Sequence, residues 1–176
     1  MIRPFKGVHA KIAETAFVHE MATVIGDVHI GEHSSIWPGA VLRGDLYYIR
    51  VGRYTNIQDG SILHVITGKY PTIVGDYVTV GHNVILHGCT VKDRCLIGMG
   101  AIVLDDAVVG EQALVAAGSL VAMGQVVPPR TLVAGIPAKV KRELSEEEIQ
   151  RMEEGCNHYL ELKEIYLKES FGQTKK

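Results

Sequence analysis

An aliphatic residue returns at every sixth position along most of this chain, and that period dictates the backbone. The run is cleanest from Val91 through Ile97, Val103, Val109 and Val115 to Val121. Two residues before each stands something small: Cys89, Cys95, Ala101, Ala107, Ala113 and Ser119. The same period holds earlier, at Val24, Ile30, Ile36 and Leu42, then Val51, Ile57 and Leu63, then Val74, Val80 and Leu86. Glycine often follows the aliphatic residue, as at Gly31, Gly52, Gly75, Gly81, Gly98 and Gly110. A hexapeptide repeat of this kind predicts a parallel β-helix, in which each coil rests on its neighbours. An aromatic content of only 6% fits, because such a prism is filled by Val, Ile, Leu and small residues rather than rings.

The expected fold class is therefore all-β, a β-helix with one α-helix alongside, in a single domain spanning residues 1–176. Residues 1–17 read as an irregular lead-in with at most one short strand, and residues 18–127 as the repeat body. Val127-Pro128-Pro129-Arg130 interrupts the period, since neither proline can donate to a ladder. Residues 128–144 read as a return segment and 145–170 as a C-terminal helix. Ser145 with Glu148 makes a capping box, and Ile149, Met152, Cys156 and Tyr159/Leu160 follow at helical spacing. The tail from Gly172 to Lys176 is expected to fray.

Composition excludes several functions. A net charge of −2 offers no basic face for nucleic acid. No apolar run approaches the roughly 20 residues a bilayer requires, so no membrane partner is expected. The opening Met1-Ile2-Arg3-Pro4-Phe5 lacks the apolar core of a signal peptide, which points to a cytoplasmic protein. Cys89, Cys95 and Cys156 stand at no zinc-ribbon spacing and read as reduced core thiols.

Repeat arithmetic then brings histidines together. Three repeats make an eighteen-residue coil, so residues eighteen apart stack about 4.8 Å from one another. Leu42 to Val51 is nine residues, three more than a repeat, and Leu63 to Val74 is eleven, five more. His64 and His87 occupy the same phase, 23 residues apart, which is a coil plus the five looped out. They should stack on one edge, with Arg43 in the same column one coil earlier. His82 belongs to a different corner, shares its column with Asp59, and has Gln58 one step away. It cannot easily reach the first column in its own subunit, but it could reach that of a neighbour packed alongside. The stacked pair alone is equally a polar ladder or a metal site. Three imidazoles with an open fourth position are the ligand set of a catalytic zinc ion.

On these residues the chain resembles the γ-class carbonic anhydrases over nearly all of its length. Arg43-Gly44-Asp45, Asn56-Ile57-Gln58-Asp59-Gly60, His64, Gly81-His82-Asn83 and Leu86-His87-Gly88-Cys89 carry the resemblance. The later Ile136-Pro137-Ala138-Lys139 is shared with hexapeptide acyltransferases. The resemblance implies a left-handed β-helix, a homotrimer, and metal sites at its subunit interfaces held by His64, His82 and His87. The ion would be Zn2+, with Fe2+ or Co2+ equally suited to imidazole. It further implies that Gln58 hydrogen-bonds a metal-bound hydroxide, that Arg43 and Asp45 organise the interface with the arginine near bicarbonate, and that Asn56 and Asp59 belong to the catalytic set. Tyr159 matches a tyrosine held over the metal, and reads equally as a core aromatic of the helix.

Two positions depart from the family pattern. Leu46 stands where the archetype has a glutamate directly after Asp45. The stretch Val65-Ile66-Thr67-Gly68-Lys69-Tyr70-Pro71-Thr72 replaces an acidic loop with a proton-shuttling glutamate. The leading expectation is reversible hydration of carbon dioxide to bicarbonate. Hydrolysis of an acyl-CoA thioester would use the same hydroxide, and a catalytically weak metal-binding trimer is a further alternative. Acyl transfer needs no set of three imidazole ligands, so their presence counts against it.

Overall fold

The six-residue period becomes three stacked columns in the computed structural model, which describes residues 1–169. One column runs Val24, Leu42, Leu63, Leu86, Val103 and Val121. A second runs Ile30, Val51, Val74, Val91, Val109 and Val127. The third runs Val18, Ile36, Ile57, Val80, Ile97, Val115 and Val133. None of these side chains is more than 6% exposed. Each contributes roughly 1.5–3 kcal/mol on burial, so the columns are the dominant favourable term of the fold. The result is a left-handed parallel β-helix of about seven coils.

Both excursions leave the prism where the spacing demands. Gly26 pairs with Gly44 and Val28 with Ile49, so residues 45–48 bulge out against Asp27 alone. Leu63 pairs with Leu42 while Thr72 rejoins opposite Ile49, and the intervening hairpin is closed by an Ile66–Tyr70 bridge.

The coils extend beyond residues 18–127 at both ends. In the lead-in, Ile2–Arg3 pairs with Val24–Ile25, Lys11–Ile12 with His29–Ile30, and Phe17–Val18 with Ser35–Ile36. Two-residue strands hold no internal period, so pattern reading misses them, yet they cover the edge that the first coil would leave open. Past the prolines, Thr131–Ala134 still stacks, with Val133 on Val115, before Lys139–Glu143 folds back antiparallel and covers the other edge.

The helix is Glu146–Lys168, capped by Ser145 in a full capping box with Glu148. Residue 170 and the tail expected to fray lie outside the described residues. Ile149 and Met152, with Leu144 before the cap, pack on Leu96, Leu114 and Leu132, which point outward from the third face. The helix therefore covers that face and leaves the face of Leu63 and Leu86 open.

Coil spacing also fixes small residues at points of closest approach. A Cβ on Gly31 would lie 2.5 Å from the carbonyl oxygen of Gly52 and 2.6 Å from its carbon, and neither backbone atom can yield. Gly100 meets nothing within 4 Å and carries only a left-handed φ of +68°. Gly31→Ala should cost about 3 kcal/mol or more through overpacking, and Gly100→Ala about 1–2 kcal/mol of backbone strain. Urea unfolding at one fixed protein concentration measures both; equal losses would contradict this account of the coil contact.

Candidate active site

The strand Ile85–His87 spans one face of the prism, and candidate functional residues gather at both of its ends. At its far end His87 is the ladder partner of His64, so the two imidazoles stack in adjacent coils. His64 Nδ1 lies 3.1 Å from His87 Nε2. Arg43 continues the column, one step past the Leu42–Leu63 pair. Its guanidinium donates to Asp45 Oδ2 at 2.8 Å, while Asp45 Oδ1 lies 3.3 Å from His64 Nε2. The first excursion thus delivers Asp45 to the histidine column. His87 Nδ1 rests against Asp105 Oδ1 at 2.7 Å.

These contacts set the charge states. Burial works to raise the Asp45 carboxyl, but hydrogen bonds from Arg43 and His64 outweigh it and leave Asp45 below the usual carboxylate range. Burial and then the Arg43 charge hold the His64 pKa below its ordinary value, against the opposing pull of Asp45. His64 is therefore a neutral imidazole at pH 7.

At the near end of the strand, His82 Nδ1 lies 3.0 Å from Asp59 Oδ2, as their shared column requires. Gln58 and Asn56 are buried beside them in the coil below. The Gln58 amide donates to Asn56 Oδ1 at 3.0 Å, and the Asn56 amide donates to Thr79 Oγ1 at 3.0 Å. Cys156 of the helix packs 3.8 Å from that same Asn56 nitrogen and donates to the Tyr54 carbonyl at 3.2 Å. Tyr159 sets its ring edge-on to Trp37 at 5.3 Å. Burial and then the Asp59 charge raise its phenol pKa. Tyr159 therefore packs on an aromatic partner, within electrostatic reach of Asp59.

The chain thus holds two half-sites. Arg43, Asp45, His64 and His87 share one edge; Asn56, Gln58, Asp59, His82 and Tyr159 share the other. The turn at His82 and Asn83 and the strand Ile85–His87 separate the two histidines. Among the described residues of one chain, no three His, Cys, Asp or Glu side chains form a group able to hold a metal ion. Between the two edges the open face presents Val41, Ile62, Ile85, Ile102 and Leu120 outward, with Ile62 42% exposed.

Asp105, Thr79 and Trp37 are not evident from motif reading. Asp105 does have a sequence signal: Val91 follows Leu86 by five residues instead of six. That coil is one residue short, which brings Gly88 and not His87 level with Asp105, as the Asp106 N–H to Gly88 carbonyl bond of 2.8 Å records. Cys89 and Cys95 play no part in either edge. Burial pushes the Cys89 and Cys95 thiols up to about 12, which makes them inert core residues.

The sequence model for the bacterial transferase hexapeptide (six repeats) matches residues 9–44. The chain is 51% identical over 166 residues to the carbonic anhydrase of Geobacillus kaustophilus, covering 94% of this chain and 91% of that protein. It is 47% identical over 164 residues to the mitochondrial gamma carbonic anhydrase 1 of Arabidopsis thaliana, covering 90% of this chain but 60% of the plant protein. Among solved structures, a hexapeptide transferase family protein from Anaplasma phagocytophilum superposes with a TM-score of 0.90 at 44% identity, covering 94% and 98% of the two chains. With this similarity extending through both edges of the open face, the chain belongs to the γ-class carbonic anhydrase family of hexapeptide-repeat proteins.

Proposed function

We propose that this chain is the subunit of a homotrimeric, metal-dependent enzyme that interconverts carbon dioxide and bicarbonate. The observation that carries the reading is the 3.1 Å between His64 Nδ1 and His87 Nε2. A neutral imidazole has one N–H, and each of these rings has its other nitrogen against a carboxylate, Asp45 or Asp105. The carboxylates claim the protons, so two lone pairs face each other. The opposite tautomer of either ring would set a lone pair against a carboxylate oxygen instead. A cation between the nitrogens resolves the conflict, and two nitrogens each about 2.0–2.1 Å from one tetrahedral ion sit about 3.3 Å apart.

The third ligand in this reading is His82 of a neighbouring subunit. Its Nδ1 is held by Asp59 in the same way, leaving Nε2 outward. The apolar stripe between the two edges is what a threefold contact would bury, bringing the His64/His87 edge of one subunit to the His82 edge of the next. Met99 follows His82 by one coil and Met123 follows Asp105 by one coil; they are 58% and 62% exposed and would close the rim of that contact. Zinc suits three neutral imidazoles, as do Fe2+ and Co2+. Bound there, the ion would supply a Lewis acid that brings a coordinated water near pKa 7, the carbonic anhydrase value.

The remaining residues bind and orient. With its N–H committed to Asn56, Gln58 offers its Oε1 as an acceptor toward the proton of the attacking oxygen. Arg43 spends one N–H on Asp45 and keeps others for a bicarbonate oxygen. Asp59 fixes His82, and Tyr159 borders the same corner. The hairpin of residues 65–71 has no carboxylate, so the proton leaves to solvent buffer in this scheme. Hydrolysis of an acyl-CoA thioester, which would use the same hydroxide, is the second reading.

Stopped-flow hydration and acyl-CoA hydrolysis, run on one preparation of known metal content, separate the two. The expected result is about one divalent ion per chain and hydration that chelation and His82→Ala both abolish, with no thioester cleavage. Because burial and Arg43 disfavour the protonated form of His64, protons compete with metal at this ring only at lower pH than at an ordinary imidazole, and metal affinity should fall as the ligands protonate in acid. Protein purified without chelator that carries no transition metal would remove this reading. Gln58→Ala should lower kcat about 10- to 100-fold with metal retained; unchanged turnover would reduce Gln58 to a structural residue.

A further inference from the structure

We infer that Asp105 is the positioning residue that sets the metal affinity of this site, acting through His87; the inference rests on the metal-dependent reading above. All three histidines lean on carboxylates, but the three pairs are unequal. His87–Asp105 is the shortest at 2.7 Å, against 3.0 Å for His82–Asp59 and 3.3 Å for His64–Asp45. Asp45 is also shared, because Arg43 holds its other oxygen at 2.8 Å and draws charge away from the imidazole. Among the described residues, His87 is the only basic group in ion-pair contact with Asp105. The undivided carboxylate fixes the His87 proton on Nδ1 and makes Nε2 the strongest donor of the set.

The backbone is built around this contact. The shortened coil brings Gly88 level with Asp105, and a Cβ on Gly88 would stand 2.3 Å from Asp105 Oδ1 and 2.9 Å from the Cβ of Tyr70 in the hairpin. Gly88 also has a φ of +56°. Only glycine leaves the carboxylate room to lie beside the ring. The missing residue, the glycine and the aspartate are thus one arrangement, and the glycine of Leu86-His87-Gly88-Cys89 has a chemical reason.

Asp105→Asn keeps the shape and removes the charge. If its amide nitrogen turns to the ring, His87 must carry its proton on Nε2, which blocks the ligand. The test is zinc competition against a chromophoric chelator on verified trimers of the wild type, Asp105→Asn, Asp45→Asn and Gly88→Ala, with thermal melts of the metal-free proteins. Asp105→Asn should bind zinc about 10- to 100-fold more weakly, Asp45→Asn should lose less, and Gly88→Ala should reproduce the first result with Asp105 still present. Metal-free Asp105→Asn should melt close to the wild type, which a merely structural aspartate would not allow. Should Asp105→Asn fail to form trimers, Gly88→Ala carries the comparison. Wild-type affinity in Asp105→Asn trimers overturns the inference and leaves the proposed function standing. A wild type that takes up no zinc overturns both.

Discussion

Parallel register is the constraint on which the rest of this molecule depends. Each coil adds its strands to those below with the same residue of the repeat pointing inward, so the three columns cannot slip against one another without turning aliphatic side chains outward. A helical surface or an irregular loop could hold His64 and His87 near each other only by local packing. Here the ladder holds them at neighbouring positions, and moving either would shift the whole prism. The site inherits the rigidity of the core, because its residues are simply the ones following the buried Leu63 and Leu86.

Departures from the eighteen-residue coil are where chemistry enters. The three extra residues after Gly44 deliver Asp45 to His64, and the one residue missing after Leu86 sets Asp105 level with Gly88, where its carboxylate meets His87. The ladder pairs Leu86 with Val103, so Leu104 is level with His87 and Asp105 reaches the ring from beside Gly88. Each carboxylate then decides where an imidazole keeps its proton, and the burial that lowers the His64 pKa keeps that ring in the neutral form a metal needs. Stability and ligand preparation come from the same backbone, with the irregular steps used for the second purpose.

Much of this was legible in the sequence. The inward residues, the two excursions and the shared phase of His64 and His87 all follow from counting in sixes, and the Asp59–His82 contact follows from the same count. The helix start was equally clear, since Ser145 and Glu148 announce it. What escaped had no period to betray it. The two-residue strands of the lead-in are too short to show a pattern, and Thr131–Ala134 resumes the coil only after two prolines have interrupted it. Asp105 is a different case: it stands eighteen residues after His87, one coil on, so the same count reaches it although motif reading does not. The side-chain links from Gln58 through Asn56 to Thr79 and Cys156 join positions up to 100 residues apart, and no local motif encodes them.

The central claim is that a complete site draws its ligands from two chains, since one chain keeps His82 a strand's length away from His87. Co-expression of His82→Ala with a His64→Ala/His87→Ala double variant tests it most directly. Neither variant alone can build a complete site, but a mixed trimer can, wherever the intact pair of the first meets His82 of the second. The account predicts that verified mixed trimers regain metal and part of the hydration activity, while each parent trimer has neither. Mixed trimers that bind no metal, or a His82→Ala parent that binds it as the wild type does, would contradict the account.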